Sequence, residues 1–101
     1  MQRNWRNAFC SVRPPGHHSG QKQRPTGFCI YNNVAIAAKY ARLKYGIKKI
    51  AILDWDVHHC DGTEAIFYED PDTLVVSIHR YDQGVFYPRS GDPEKIGGEK
   101  A

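Results

Sequence analysis

With 101 residues, 41% of them hydrophobic, and twelve aromatic side chains, the chain has material for one domain at most. No stretch approaches the roughly 20 apolar residues of a membrane span, and Met1 to Arg6 lacks the apolar segment of a secretory signal. Three cysteines without Cys-x-x-Cys spacing, Cys10, Cys29 and Cys60, argue against a disulfide framework and against a cysteine-rich zinc module. An intracellular protein of the cytoplasm or nucleus, with no membrane partner, is expected. The net charge of +3 is unevenly divided: residues 1–53 hold ten Lys or Arg and no acid, whereas residues 54–101 hold four and all eleven acids. Such a split can mark a nucleic-acid partner. Here the basic residues are spread through loops and a helix face carrying Lys39, Arg42 and Lys44, which argues against direct nucleic-acid binding.

Ala8 to Val12 is a short, mostly apolar run ended by Arg13-Pro14-Pro15-Gly16, and reads as a strand breaking into a rigid loop. His17 and His18 follow directly. Ser19 to Thr26 is an exposed connection, and Gly27 to Tyr31 reads as extended. Asn32 or Asn33 is the N-cap of a helix over about Val34 to Tyr45, with Val34, Ala37, Ala38 and Ala41 on one face and Gly46 as the stop.

Ile47 to Leu53 predicts a central strand, and the continuous apolar run from Ile50 predicts burial on both faces. Asp61-Gly-Thr-Glu64 has the pattern of a capping box for a second helix over about Thr63 to Tyr68, before Pro71. Leu74 to Ile78 is the third predicted strand, and beyond His79 the chain is turn-rich. Strand, helix, strand, helix, strand implies parallel strands joined by crossovers. Three such strands and two helices leave sheet edges unpaired and one face poorly covered, so a piece of a larger domain is expected.

The chemistry is concentrated where the central strand ends, in Asp54-Trp-Asp-Val-His-His-Cys-Asp61. Side chains alternate along a strand, so Asp54, Asp56 and His58 share a face where open α/β sheets keep their ligands. Asp56 and His58 can offer an oxygen and a nitrogen to one first-row divalent cation. Four of the five histidines stand in pairs at predicted strand ends, His17-His18 and His58-His59. Brought together, they form hydrolytic machinery. A metal acidifies water, a nearby imidazole takes the proton, and a carboxylate behind the imidazole fixes its tautomer. His79 reads as a hydrogen-bonded structural histidine, and Cys10 and Cys29 as small core residues. Phe28 and Tyr87, taken alone, read as core aromatics.

Four motifs in order, Arg13-Pro-Pro-Gly-His-His18, Gly27-Phe-Cys29 with Asn32 to Ala38, Asp54 to His59 with Asp61-Gly-Thr63, and Ser77-Ile-His-Arg-Tyr-Asp82, resemble the zinc-dependent histone deacetylases. The flavour is that of the class II branch and the related acetylpolyamine amidohydrolases, and the resemblance runs from about Asn7 to Gly98. It implies a partial α/β domain of the three-layer, parallel-sheet arginase-deacetylase type. The implied activity is hydrolysis of an acetyl-lysine, on a histone or other protein, or of a related N-acyl amide such as an acetylpolyamine. By the same resemblance Asp56 and His58 match two of three zinc ligands. His17 and His18 match the tandem catalytic histidines, and Asp54 and Asp61 the acids behind the first and second of them. Gly27, Phe28 and Tyr87 match the substrate channel. Asp54, Ser77 and Ile78, with the backbone oxygens of Asp56 and His58, match a monovalent-cation site, usually potassium.

Two features depart from the pattern. Cys60 stands where the family usually has glycine, a strained position if positive φ is required there. The family's third zinc ligand, an aspartate, and its catalytic tyrosine lie downstream of the region matched, so the chain alone is expected to be inactive or nearly so. The rival expectation is a non-catalytic fragment that serves as an interaction module.

Overall fold

The computed structural model describes residues 6–20 and 24–100. In chain order the regular elements are α1 (Asn33–Tyr45), β1 (Ile50–Asp54), α2 (Asp61–Phe67), β2 (Thr73–Ser77) and a 3-10 turn over Asp82–Gly84. No helix among the described residues is long and apolar enough to cross a membrane.

α1 begins where expected because the Asn32 side-chain oxygen accepts the Ala35 N–H at 3.0 Å, satisfying one of the free donors of the first turn. It ends at Gly46, whose left-handed backbone (φ 66°) lets its N–H reach the Arg42 carbonyl at 3.0 Å. The buried stripe is Ala35 and Ala38, not the face led by Val34 and Ala37, and Val34 is half exposed. Arg42 is not a purely solvated charge either. Its guanidinium bonds Asp70 at 2.6 Å and Asp72 at 3.2 Å, tying α1 to the turn before β2.

β1 and β2 run parallel with Ile50 opposite Thr73 and Asp54 opposite Ser77. α1 and α2 pack on the face that carries Ile50 and Ile52, and the core is Ala35, Ala38, Ile52 and Phe67, with Ile50, Ile66 and Val75 against it. The other face is open: Leu53 and Leu74 are 57% and 62% exposed, so β1 is covered on one face and not on two. The predicted strand at Ala8–Val12 does not form; these residues are exposed and without regular structure. A strand needs a neighbour for its N–H and C=O groups, and none stands beside 8–12 among the described residues. Gly27 to Tyr31 is likewise not extended. Gly27 and Phe28 both take positive φ (53° and 64°), and the Cys29 N–H turns back to the Thr26 carbonyl at 2.8 Å.

Candidate active site

β1 delivers Asp54 to the edge of the sheet, where two successive side-chain turns reverse the chain. Asp54 Oδ1 accepts the Asp56 N–H at 3.0 Å, and Asp56 Oδ1 accepts the His58 N–H at 2.8 Å. This is the backbone-mimicking bond that aspartate makes at turns, and it folds Asp56 and His58 back together. The His58 Nδ1 then lies 2.9 Å from Asp56 Oδ1.

The 13–20 loop brings the other histidine pair to the same place. Its position is set by backbone and buried side chains. The Thr63 N–H donates to the His17 carbonyl at 3.1 Å, and the His18 N–H meets Cys29 Sγ at 3.4 Å. Asn32 is the hub. While its oxygen caps α1, its amide nitrogen donates to the Ser19 carbonyl (3.1 Å) and to Thr63 Oγ1 (2.9 Å), joining the loop, α1 and α2 in one buried network.

Each of these histidines has its own acid. His17 Nδ1 lies 2.9 Å from Asp54 Oδ2, and His18 Nδ1 lies 2.6 Å from Asp61 Oδ1. The rings are tilted against each other at 4.1 Å between centroids, and the His18 ring is 5.9 Å from that of His58. His17 Nε2 stands 3.9 Å from Asp56 Oδ1. The hydrogen bond from Asp54, reinforced by the charges of Asp54, Asp56 and Asp61, raises the His17 pKa despite desolvation. Burial pushes Asp54 upward, but bonds from His17 and the Asp56 N–H outweigh it and leave the carboxyl below its ordinary value. Asp56 is held low in the same way, with the N–H and ring of His58 overcoming desolvation. Because each acid takes Nδ1, the nitrogen free for proton transfer on His17 and His18 is Nε2.

Asp61 settles differently from its capping-box pattern. The N-cap of α2 is Cys60, with no side-chain cap, and Asp61 is the first helical residue, its carboxylate committed to buried His18. A charge-assisted bond to an imidazole is stronger than a cap to an amide that the backbone can serve otherwise. Glu64, the other half of that pattern, bonds His59 Nε2 at 2.7 Å. Cys60 itself has φ −81°, so no left-handed strain arises there. Burial pushes its thiol pKa up to about 11, and raises that of buried Cys29. Cys10, by contrast, is exposed rather than part of a core.

Around the histidines stand Gly27 and an aromatic wall. A Cβ on Gly27 would lie 2.3 Å from His18 Cδ2, and its φ of 53° also disfavours a side chain. Tyr87 sets its ring edge-on to His18 at 5.0 Å and to His58 at 5.8 Å, while its hydroxyl bonds Thr26 Oγ1 at 2.7 Å. Phe86 stacks on His58 at 5.1 Å with the planes 10° apart. Phe28 projects into solvent, 86% exposed, so it is no core aromatic. Ser77 and Ile78 lie beside Asp54 by strand register, with the Ile78 N–H on the Asp54 carbonyl at 2.9 Å and Ser77 Oγ 2.8 Å from His79 Nδ1. Sequence reasoning found Asn32 as a cap but not as a hub, and missed Phe86 and Thr26. Only the adjacency of Phe86 to Tyr87 hinted at the first of these.

A model of the histone deacetylase domain matches residues 1–101. The chain is 56% identical over 89 residues to histone deacetylase 6 of Caenorhabditis elegans, which covers 88% of this chain and 9% of that protein. It is 55% identical over 82 residues to the polyamine deacetylase HDAC10 of Mus musculus, covering 81% of this chain and 12% of that one. Among solved structures, the HD domain of HDA15 superposes with a TM-score of 0.84 and 46% identity, over 88% of this chain and 25% of that chain. The two-stranded parallel sheet with its helices is thus part of an arginase-deacetylase fold, and the chain spans about a tenth of the curated relatives it matches. On the strength of the family match over residues 1–101 and these identities, the chain belongs to the histone deacetylase family.

Proposed function

We propose that the chain carries half of a zinc-dependent amide-hydrolysing centre, acting on an acetyl-lysine or a related N-acyl amide such as an acetylpolyamine. The observation that carries this reading is the convergence of two carboxylate-backed imidazoles on the Asp56–His58 donor pair. The donor set suits zinc: a carboxylate oxygen and an imidazole nitrogen lie 2.9 Å apart, near the roughly 3.3 Å that two ligands at about 2.0–2.1 Å span in a tetrahedron. Asp56 and His58 would hold the ion, which supplies Lewis acidity that makes bound water a nucleophile near neutral pH.

The remaining work belongs to the chain. His18 accepts the water's proton at Nε2 while Asp61 holds Nδ1–H and stabilises the imidazolium. His17, paired with Asp54 and 4.1 Å from the His18 ring, tunes the electrostatics of the site. The Tyr87 ring and the Gly27 backbone border the approach to His18, with Phe28 at the rim. A potassium ion at Asp54, Ser77 and Ile78 is a further proposal, favoured by the register that sets Asp54 opposite Ser77.

Among the described residues no third His, Cys, Asp or Glu joins Asp56 and His58 in a metal cluster. Two protein ligands leave the ion underheld. The chain alone is therefore proposed to be inactive or nearly so. Assay of the zinc-loaded chain on an acetyl-lysine peptide should give no turnover above background; robust turnover abolished by His18→Ala would refute this. A second reading, a non-catalytic interaction module, draws on the open apolar sheet face at Leu53 and Leu74. Metal titration separates the two, because only the first requires Asp56→Asn and His58→Ala to weaken binding.

A further inference from the structure

His58 and His59 are consecutive yet serve opposite sides of one loop. His58 faces the site and stacks on Phe86. His59, 1% exposed, turns away from it and is bonded at both nitrogens, Nε2 to Glu64 of α2 at 2.7 Å and Nδ1 to Ser90 Oγ at 2.8 Å. Its ring packs at 4.7 Å on that of His79, whose Nε2–H donates to the Gly91 carbonyl at 3.0 Å. Gly91 lies so close on this pair that a Cβ would come within 2.2 Å of His79 Nε2 and 2.7 Å of His59 Cγ, and its φ of 88° favours glycine as well.

We infer that the His59–His79 pair, its rings in contact and tilted by 46°, is a seat for the loop that carries the aromatic wall, and that Ser90 and Gly91 are positioning residues for Phe86 and Tyr87. The partner chemistry fixes the tautomers. A carbonyl only accepts, so His79 carries its proton on Nε2 and takes the Ser77 hydroxyl at Nδ1. A carboxylate likewise claims Nε2–H of His59, leaving Nδ1 to accept from Ser90. The seat therefore joins the β1 turn, α2, β2 and the 85–91 loop through partly buried, directional bonds, which fix a loop's orientation where non-directional apolar packing does not. Since the same dipeptide grips the loop from both sides, the metal-binding side chain and its aromatic neighbour move as one body. This role rests on the reading of Asp56 and His58 as metal ligands.

The test uses the full chain and two readouts: NMR cross-peaks between the ring protons of Phe86 and His58, and Co2+ affinity by titration. Ser90→Ala and Gly91→Ala should abolish the Phe86–His58 cross-peaks and weaken Co2+ binding about 10-fold, the scale of an outer-shell support. Ser90→Thr, which keeps the hydroxyl, should restore both, with the methyl shifts of Ile52 and Val75 unmoved throughout. If Gly91→Ala does not fold, the Ser90 pair decides. Cross-peaks that persist in Ser90→Ala, or their disappearance with Co2+ affinity unchanged, overturn the seat. A His58→Ala control that keeps the parent Co2+ affinity would strike the metal assignment instead, whatever the NMR spectra show.

Discussion

Replacing Asn32 tests whether the site is built on one buried amide. Asn32→Ala removes three bonds: the cap to the Ala35 N–H and the two donated to the Ser19 carbonyl and Thr63 Oγ1. The cap is worth about 1 kcal/mol, and each of the other two about 1 kcal/mol net, more where a buried acceptor is left unpaired. The sum, about 3 kcal/mol, is a large part of the roughly 5 kcal/mol expected at the low end for a small domain. Urea denaturation followed by circular dichroism should show the midpoint falling with little change in slope. Asn32→Asp separates the contributions, because its oxygen keeps the cap while both donors are lost; it should cost about 2 kcal/mol. A loss below about 1 kcal/mol for Asn32→Ala, or an Asn32→Asp variant as stable as the parent, would refute the hub.

Gly27→Ala should displace His18, since its Cβ would lie 2.3 Å from the ring and the left-handed backbone adds about 1 kcal/mol; loss of the downfield His18 Nδ1–H resonance bonded to Asp61 would report it, and an unchanged resonance would count against it. Iodoacetamide at about pH 8 should modify exposed Cys10 in the native chain and spare buried Cys29 and Cys60, the latter with its thiol at about 11; rapid native labelling of Cys60 would contradict the packing at the α2 N-cap. Asp70 is held below its ordinary value, as bonds from the Asp72 N–H and Arg42 outweigh desolvation. Its contribution is therefore present above about pH 4 and is lost as pH falls through the lower folded-state value. Being partly exposed, the pair is worth at most about 1 kcal/mol. In an acid titration of stability, Asp70→Asn should flatten the profile below about pH 4, and an unaltered profile would remove Asp70 from the account.

Much of this protein could be read locally. The bounds of α1 follow from an asparagine and a glycine at its ends, and β1 and β2 follow from apolar runs, because caps and periodicity act within a few residues. The pairing of His17 with Asp54 and of His18 with Asp61 was legible only through the family resemblance, since 37 and 43 residues separate the partners. What the tertiary structure decided were choices between partners that a local reading leaves equal. Asp61 could serve its own helix or a distant imidazole, and the charge-assisted bond to buried His18 prevails. Arg42 could face water, but two aspartates lie within reach. Ala8–Val12 has a strand's composition and lacks a neighbour to pair with among the described residues, and Gly27–Phe28 turns where an apolar run predicted extension. The His59–His79 seat was beyond sequence reading for the same reason. Its residues are ordinary in type and become a device only when α2, both strand ends and the following loop meet.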